Sequence, residues 1–433
     1  MSLASVSRME AKLLLPTYER QPILFVRGRG VYLWDSRGKR YLDFLSGIGV
    51  NALGYNHPAI QAAIKRQASR LIHVSNLFFH EYQAELARLL TEISGLDRAF
   101  FCNSGTEAWE GALKLARAFA QMNNTNGHKP KSKPNRKTRI LAMENSFHGR
   151  TFGALATTGQ PKYRAPFAPL VPGVTFVKFN DLDDLQRKFD ASVCAVCIET
   201  IQGEGGIRPV SPEFLELARR LTKRSGALLV LDEIQCGLGR TGRHFAYQHY
   251  GVLPDVVAVA KPLAGGLPLG AILTTGRVAK CMHPGLHGTT FGGGPLACAV
   301  AIEFLRAEGQ LLKHVRALGE YFHAELEALK EDKKHQSIRE VRGIGLMQAV
   351  EVDSPELAKA VVRQLLQEGI IINRTHETVL RFLPPYVIQK KHVDQVVKAL
   401  DAALHKNGEF PQKRTHRKKR TAPPRRKGVH AHA

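Results

Sequence analysis

The chain has 433 residues, which is enough for two or three domains around a large core. Hydrophobic residues make up 44% and charged residues 23%, which excludes an extensively disordered chain. No segment approaches the roughly 18 apolar residues of a membrane helix, and the first residues lack the apolar core of a secretory signal, so we expect a cytoplasmic protein. The six cysteines are scattered within or beside apolar segments, so we expect buried thiols and no metal site.

The net charge of +24 is concentrated in two segments. From Lys406 onward there are ten basic residues and one acidic residue, and a further six basic residues lie between Lys129 and Arg139 with no acid among them. We therefore predict that residues 406–433 form a disordered basic tail and that residues 123–137 form a surface loop. Because the charge lies outside the folded body, nucleic acid is not expected as a partner, except weakly through the tail.

The N-terminal region predicts a strand, a turn and a strand between Gly30 and Phe44, with Asp35 and Gly38 as turn residues. A glycine-rich segment, 47–54, and a helical pattern from about Pro58 to Leu71 follow. Farther along the chain, apolar segments that read as strands end at Cys102, Met143, Thr200, Asp232 and Lys261. Helical patterns alternate with them, which indicates a mostly parallel sheet whose strands all end at one edge.

Two of these strands end in a charge. Gly226 to Asp232 is an apolar segment that ends in a carboxylate, and Asp255 to Lys261 is one that ends in an amine. Ligands of open α/β sheets bind outside the carboxyl ends of the strands, so both residues are candidates for a shared site. Pyridoxal phosphate would use both, because its aldehyde binds a lysine and its pyridinium nitrogen is stabilised by a carboxylate. The structural alternative is that Asp232 caps a turn and Lys261 is a solvated loop charge.

Three other strand ends carry polar motifs. After Cys102, Asn103-Ser-Gly-Thr-Glu-Ala108 starts a helix, and Ser104 and Glu107 have the spacing of a capping box. The amides of Gly105 and Thr106 could bind an anion at the same helix terminus.

After Met143, Phe147 could stack on a flat ring and Arg150 could bind a carboxylate, while a structural role is the preferred interpretation of His148. Glu204 lies in the glycine-rich loop after Thr200. All of these side chains are therefore expected at the same edge of the sheet.

The last third of the chain predicts a smaller α+β unit. It has a helix from about Pro295 to Ala307, a second helix to about Lys330, and strands at 341–352, 370–372 and 378–382. Helices at about 354–368 and 389–405 lie between or after these strands. We expect four regions: an N-terminal segment (1–55) that packs with the small domain, a large domain (56–305), the small domain (306–405), and the tail (406–433).

Six motifs occur in a characteristic order: N-S-G-T-E-A, S-F-H-G-R, Q-G-E-G-G, L-D-E-I-Q, A-V-A-K and H-G-T-T-F-G-G. Together they resemble those of the class III, or ornithine-type, pyridoxal-phosphate aminotransferases, and the resemblance covers about residues 15–405. It implies the α/β architecture of fold type I, with a large domain built on a mostly parallel sheet flanked by helices and a smaller α+β domain. It also implies pyridoxal 5'-phosphate as the cofactor.

The resemblance assigns roles by position. It makes Lys261 the catalytic lysine that forms a Schiff base with the cofactor, and Asp232 the partner of the ring nitrogen. Cofactor contacts are also implied for Gly105, Thr106, Phe147, Glu233, Ile234, Gln235 and, across a homodimer interface, Thr290. Substrate contacts are implied for Arg150, Thr289, Glu204 and Arg381.

Within the family, the chain is most similar to the members that act on N2-acetyl-L-ornithine. The resemblance implies transfer of the terminal amine to 2-oxoglutarate, which gives N-acetyl-L-glutamate 5-semialdehyde and L-glutamate in arginine biosynthesis. Glu204 and Arg381 would form an ion pair that opens when glutamate binds. Ornithine, 4-aminobutyrate, succinyldiaminopimelate and a carrier-bound lysine precursor remain alternative amine donors, because these enzymes share the cofactor residues.

Overall fold

The computed structural model describes residues 1–125 and 137–408. Most of the predicted basic loop and all of the predicted tail after Gly408 lie outside the described residues. The helix before the loop continues to Thr125, and the last helix continues to Gly408, three residues into the segment that was predicted as tail.

The N-terminal region forms a small sheet and several helices. Its elements are α1 (Leu3–Leu13), β1 (Phe25–Arg29), β2 (Tyr32–Asp35), β3 (Arg40–Asp43), α2 (Ser46–Gly49), α3 (Pro58–Ala68) and α4 (Glu81–Ser94). β1, β2 and β3 are antiparallel neighbours. The sequence predicted β2 and β3, whereas α1, β1 and α4 were not foreseen.

The large sheet and its helices follow. The strands are β4 (Arg98–Cys102), β5 (Arg139–Met143), β6 (Val174–Val177), β7 (Val193–Glu199), β8 (Ile201–Gln202), β9 (Arg208–Pro209), β10 (Leu228–Asp232), β11 (Val256–Val259) and β12 (Gly270–Thr274). The helices are α5 (Gly105–Thr125), α6 (Phe152–Thr157), α7 (Pro161–Arg164), α8 (Leu182–Lys188), α9 (Pro212–Ser225) and α10 (Gly276–Ala279).

Seven of these strands form one sheet in the order β4-β12-β11-β10-β7-β5-β6. β12 runs antiparallel to both of its neighbours, and the other strands are parallel to one another. β7, β10 and β11 are buried along their whole length, which explains their uninterrupted apolar sequences. The predicted mostly parallel sheet is confirmed, although the sequence analysis missed β6 and β12.

The C-terminal third contains α11 (Pro295–Glu331), β13 (Ile338–Ile344), β14 (Met347–Val352), α12 (Pro355–Gln367), β15 (Ile370–Ile371), β16 (Asn373–Thr375), β17 (Val379–Phe382) and α13 (Lys390–Gly408). The prediction of two helices between Pro295 and Lys330 was wrong, because α11 is a single helix of 37 residues. The predicted strand at 341–352 is instead the hairpin β13–β14, with Gly345 in a left-handed conformation (φ 58°) at its turn.

Two observations concern the expected domain division. β15 pairs with β3, so the N-terminal sheet and the C-terminal third share a sheet. The expected boundary between residues 305 and 306 falls inside α11. The division into four regions therefore stays a proposal, with α11 as a continuous connection between the large and the small domain.

Candidate active site

One cavity of about 460 Å³ lies where the parallel strands of the large sheet end. Segments that follow β4, β5, β7, β10 and β11 all contribute to its wall, because parallel strands bring their carboxyl ends to one edge. Nine of the predicted site residues line it: Gly105, Thr106, Phe147, Arg150, Glu204, Asp232, Ile234, Gln235 and Lys261. Residues that are up to 156 positions apart in the sequence therefore meet in one concave site.

Lys261 projects into this cavity from the segment just after β11. Burial is the largest influence on its amine and lowers its pKa, since a charged ammonium is poorly solvated there, while the carboxylate of Glu204 acts in the opposite direction. Gly49 approaches the lysine closely, and a Cβ at that glycine would lie 3.9 Å from Lys261 Cδ. A lysine amine with a lowered pKa is a usable nucleophile and base near neutral pH.

Asp232 is held rigidly in the cavity wall. Its Oδ2 is 2.8 Å from Nδ1 of His148, and its Oδ1 accepts a hydrogen bond from the amide of Ile234 at 3.0 Å. The His148 ring stacks on Trp109 with centroids 4.0 Å apart, and Trp109 Nε1 donates to Thr157 at 2.8 Å. The imidazole therefore fixes the orientation of the carboxylate, which agrees with a structural rather than a basic role for this histidine.

The start of α5 forms a potential anion site. Ser104 Oγ accepts the amide of Glu107 at 3.3 Å, and the Glu107 carboxylate accepts the amide of Asn103 at 2.6 Å, so side chains cap the helix. Gly105 and Thr106 line the cavity at this terminus, where backbone amides and the helix dipole favour an anion. A Cβ at Gly105 would lie 2.8 Å from a methyl group of Ile234, so only glycine fits here without a shift.

The segment after β5 places an aromatic ring and a cation at the cavity. Phe147 lines the wall, and the exposed guanidinium of Arg150 lies over the ring of Tyr163, 4.0 Å from its centroid. The amide of Phe147 donates to Glu199 Oε2 at 2.9 Å, and the amide of Gly203 donates to Glu199 Oε1 at 3.1 Å. Arg150 therefore lines the cavity with its guanidinium against Tyr163, while Glu199 fixes the backbone of Phe147.

Glu199 is a cavity residue that the sequence analysis missed. Burial, followed by the charge of Asp232, raises its pKa well above the ordinary value of a glutamate. Its hydrogen bonds join the segment of Phe147 to the segment of Glu204. Glu199 ends β7, just as Asp232 ends β10. A carboxylate at the end of a buried strand was the sequence signal that could have identified it.

Glu204 and Arg381 form a close ion pair at one side of the cavity. Arg381 Nη1 donates to Glu204 Oε1 at 2.6 Å and Arg381 Nε donates to Asn373 at 3.1 Å, and the arginine is almost fully buried. Burial alone would raise the pKa of Glu204, but the charge and the hydrogen bond of Arg381, together with Lys261 and Thr375, outweigh it and lower that pKa. The carboxylate is therefore ionised and neutralises the arginine in this conformation.

Four predicted site residues do not line this cavity, and one of them, Arg381, is paired with the lining residue Glu204. Glu233 is fully buried behind it, where its carboxylate accepts hydrogen bonds from Thr200 Oγ1 at 2.6 Å and from the amides of Ala246 and Tyr247 at 2.7 and 3.0 Å. Thr289 accepts a hydrogen bond from the cavity residue Asn103 at 3.2 Å. Thr290 is exposed on the surface of the subunit.

Comparisons with known proteins agree with this geometry. The family described as aminotransferase class-III matches residues 15–404. The chain belongs to the class III aminotransferases. It is 45% identical to an acetylornithine aminotransferase of Caldanaerobacter subterraneus, over 91% of this chain and 98% of that protein. It is also 45% identical to an acetylornithine aminotransferase of Methanocaldococcus jannaschii, over 91% of this chain and 96% of that protein.

Solved structures of two relatives have the same fold. The ornithine aminotransferase of Toxoplasma gondii superposes with a TM-score of 0.87 at 33% identity, over 94% of this chain and 96% of that chain. The acetylornithine aminotransferase of Elizabethkingia anophelis gives a TM-score of 0.80 at 31% identity, over 94% of this chain and all of the other. The predicted fold type I architecture is confirmed.

Class III aminotransferases depend on pyridoxal phosphate, and the cavity fits this cofactor. A helix N-terminus with glycine at the point of closest approach suits the phosphate, a buried and oriented carboxylate suits the ring nitrogen, and an amine of lowered pKa suits the aldehyde. The protein is thus a pyridoxal-phosphate-dependent aminotransferase. No helix among the described residues is long and apolar enough to span a membrane.

Proposed function

We propose that this class III aminotransferase transfers the terminal amine of N2-acetyl-L-ornithine to 2-oxoglutarate, which produces N-acetyl-L-glutamate 5-semialdehyde and L-glutamate. The observation that carries the choice of amine donor is the 45% identity, over 91% of the chain, to a relative named for this activity. The reaction is a step of L-arginine biosynthesis. All the reactants are soluble metabolites, for which we propose a cytoplasmic location.

Different residues of the cavity would bind different parts of the cofactor. Gly105 and Thr106 would bind its phosphate, Phe147 would stack on its ring, and Ile234 and Gln235 would complete the wall. Asp232, oriented by His148, would meet the ring nitrogen. When bound, pyridoxal phosphate supplies an aldehyde that carries the amino group between substrates and a ring that withdraws electrons from the reacting carbon.

Lys261 would act as the general base and acid. Lys261 lines the cavity, and its lowered pKa favours the neutral amine, which can accept a proton from the substrate carbon and return it. Arg150, an exposed residue that lines the cavity, would bind the α-carboxylate of the substrate. Thr289, which accepts a hydrogen bond from the cavity residue Asn103, would be a second substrate contact. Lys261 therefore moves the proton while the arginine holds the substrate in place.

The ion pair between Glu204 and Arg381 supports the use of two different substrates in one cavity. Acetylornithine brings an amine and no second carboxylate to this side of the site, so the closed pair leaves no charge uncovered. Glutamate and 2-oxoglutarate bring a second carboxylate, which can replace Glu204 on the arginine. A buried arginine without a partner costs roughly 3 to 5 kcal/mol, so one carboxylate or the other should cover Arg381 in each half-reaction.

A homodimer is part of this proposal. Leu77, Phe78 and Phe79 are exposed, as is Phe291 next to Thr290. Asn76 Nδ2 donates to the carbonyls of Thr289 and Gly292 at 3.2 and 3.0 Å, so the two segments form one apolar surface, which we call the 77–79/290–291 surface. A second copy of the chain would cover it, and Thr290 would then reach the cofactor phosphate of the neighbouring site.

A panel of amine donors tests the proposal. With 2-oxoglutarate as acceptor, N2-acetyl-L-ornithine should give the highest kcat/KM among acetylornithine, ornithine, 4-aminobutyrate and succinyldiaminopimelate. Ornithine is the second candidate, because the Toxoplasma gondii structure with a TM-score of 0.87 is an ornithine aminotransferase.

The control is Lys261→Ala, which should abolish transfer with every donor because the general base is lost. A higher kcat/KM with another donor would overturn the assigned substrate, and transfer by the lysine variant would overturn the assigned site.

A further inference from the structure

A second crevice, of about 370 Å³, lies between the segment that follows β10, α11 and the β13–β14 hairpin. We call it the rear crevice. Arg243 and His249 line it from the segment between β10 and β11, Arg316 and His323 from α11, and Gln348 from β14. None of these residues lines the active-site cavity. The rear crevice therefore joins the large domain, the connecting helix and the C-terminal sheet.

The lining of the rear crevice has an excess of positive charge. Arg243 and Arg316 face two histidines and a single acid, Glu320. Within the described ranges 1–125 and 137–408, neither guanidinium has a carboxylate within 4.0 Å, and Arg316 donates only to the carbonyl of Gly242 at 3.1 Å. By contrast, Arg342 on β13 is paired with two glutamates at 2.6 Å. Two uncompensated arginines in a concave site create a positive potential that attracts anions.

The floor of the rear crevice is rigid backbone. A Cβ at Gly319 would lie 2.4 Å from Gly345 Cα, and a Cβ at Gly345 would lie 2.6 Å from the backbone of Thr241, so three segments touch without intervening side chains. The polar groups above the floor are fixed as well. Gln348 Nε2 donates to the carbonyl of Gly345 at 2.9 Å, and Gln348 Oε1 is 3.0 Å from His323 Nδ1. A ligand would meet a pre-formed floor, above which the exposed guanidinium groups of Arg243 and Arg316 could close on it.

We propose that the rear crevice binds a compact dianion, of the phosphate or dicarboxylate class, between the guanidinium groups of Arg243 and Arg316. Guanidinium groups bind both kinds of anion through paired hydrogen bonds. The bound anion would connect the large domain to α11 next to β14. Ala349, the neighbour of the lining residue Gln348, pairs with Arg381 of β17, so the anion would lie next to the strand pair that carries the arginine of the active site.

Calorimetric titration of the cofactor-loaded enzyme tests this site, with inorganic phosphate and succinate as separate probes at constant ionic strength. At least one probe should bind to the wild-type enzyme, and Arg243→Gln and Arg316→Gln should each weaken that binding by about tenfold or more, because each removes charge-assisted hydrogen bonds. Lys313→Gln is the matched control. It removes the same charge from an exposed position of α11 outside the crevice and should leave binding unchanged.

The variants also distinguish binding in the rear crevice from binding in the active site. Succinate could bind at Arg381, and such binding would not respond to Arg243→Gln. Arg243 makes no hydrogen bond within the described part of the chain, so its replacement keeps the fold even if Arg316→Gln is unstable. Loss of phosphate binding in the variants assigns the phosphate class, and loss of succinate binding assigns the dicarboxylate class. Absence of binding by both probes, or equal weakening by Lys313→Gln, would overturn the proposal.

Discussion

Three glutamates in or beside the active-site cavity are held in different states by their surroundings. Arg381 keeps the pKa of Glu204 below its ordinary value, whereas burial raises the pKa of Glu199 and Glu233. Glu199 and Glu233 both accept backbone hydrogen bonds, and Glu204 alone is paired with a cation. Residue type alone therefore does not fix charge here. The partner of each carboxylate does.

The ion pair leads to a prediction about donor preference. Glu204→Ala should leave Arg381 free for a substrate carboxylate, so the ratio of kcat/KM for glutamate to kcat/KM for acetylornithine should rise, by roughly tenfold, since the uncovered arginine penalises the donor that lacks a second carboxylate. Steady-state kinetics with both donors measure this ratio. Glu377→Ala, which removes an exposed acid from the turn before β17, is the control and should leave the ratio unchanged. An unchanged ratio in the Glu204 variant would contradict the switch.

Glu233 leads to a prediction about pH. Burial raises its pKa in the folded protein to about 7, from about 4.5 in the unfolded chain, so folding takes up a proton between these values. Its contribution to stability is therefore complete below pH 4.5 and is lost as the pH rises through 7, by about 3 kcal/mol at most. The free energy of unfolding should fall more steeply between pH 5 and pH 8 in the wild type than in Glu233→Gln, which cannot ionise. If the free energy of unfolding of the wild type and of Glu233→Gln changes in parallel between pH 5 and pH 8, Glu233 is ionised throughout that range.

At the scale of elements, α11 connects the large domain to the C-terminal third, and its glycines differ in their surroundings. A Cβ at Gly319 would lie 2.4 Å from Gly345 Cα, whereas a Cβ at Gly309 would meet only His244 Cε1, at 3.8 Å. Gly319 thus allows the close approach of the β13–β14 turn. Gly309 has no such role, and α11 continues through it.

This contrast predicts opposite effects of the same substitution. Gly319→Ala should lower the free energy of unfolding by about 1 to 3 kcal/mol, because the added methyl group displaces the backbone of the turn. Gly309→Ala should raise it by up to about 1 kcal/mol, because alanine favours the helix and the space is free. Urea denaturation at one protein concentration compares the two variants. A stabilising effect at Gly319 would show that the turn moves away at little cost.

At the scale of the whole molecule, the 77–79/290–291 surface is apolar and exposed in the single subunit. Phe79 is fully exposed and Phe291 is 67% exposed, which is unfavourable for side chains of this size unless a partner covers them. The surface includes the segment of Thr290, which lies outside the subunit's own cavity. Covering it with a second copy would bury the aromatic rings and bring the threonine to the neighbouring site.

The proposed dimer predicts the effect of a charge on this surface. Phe79→Glu should shift the protein from dimer to monomer in sedimentation velocity, and activity should fall at least tenfold, because a buried unpaired carboxylate opposes association and each site loses the partner's threonine. Leu253→Glu places the same charge on an exposed hydrophobic residue outside this surface and should keep the dimer. A variant that stays dimeric and active would place the interface elsewhere.

The sequence by itself determined five of the seven strands of the large sheet and much of the cavity. A polar residue directly after a buried apolar strand, as at Asp232 and Lys261, is a local signal, and parallel strands bring such signals together wherever they occur in the chain. The capping residues Ser104 and Glu107 were equally local. This is why the fold class and nine cavity residues follow from motif order and resemblance alone.

Only the tertiary structure decided contacts between distant segments. The bond between His148 and Asp232, the distances within the ion pair of Glu204 and Arg381, and the insertion of β12 between β4 and β11 join parts of the chain that no local pattern relates. Glu233 shows that the sequence does not predict such contacts. It is adjacent to Asp232 in one motif, but Asp232 lines the cavity and Glu233 is buried behind it. Hydrophobic periodicity indicates whether a residue is buried. Packing between elements decides which groups contact it, and those contacts set its protonation state and its chemical role.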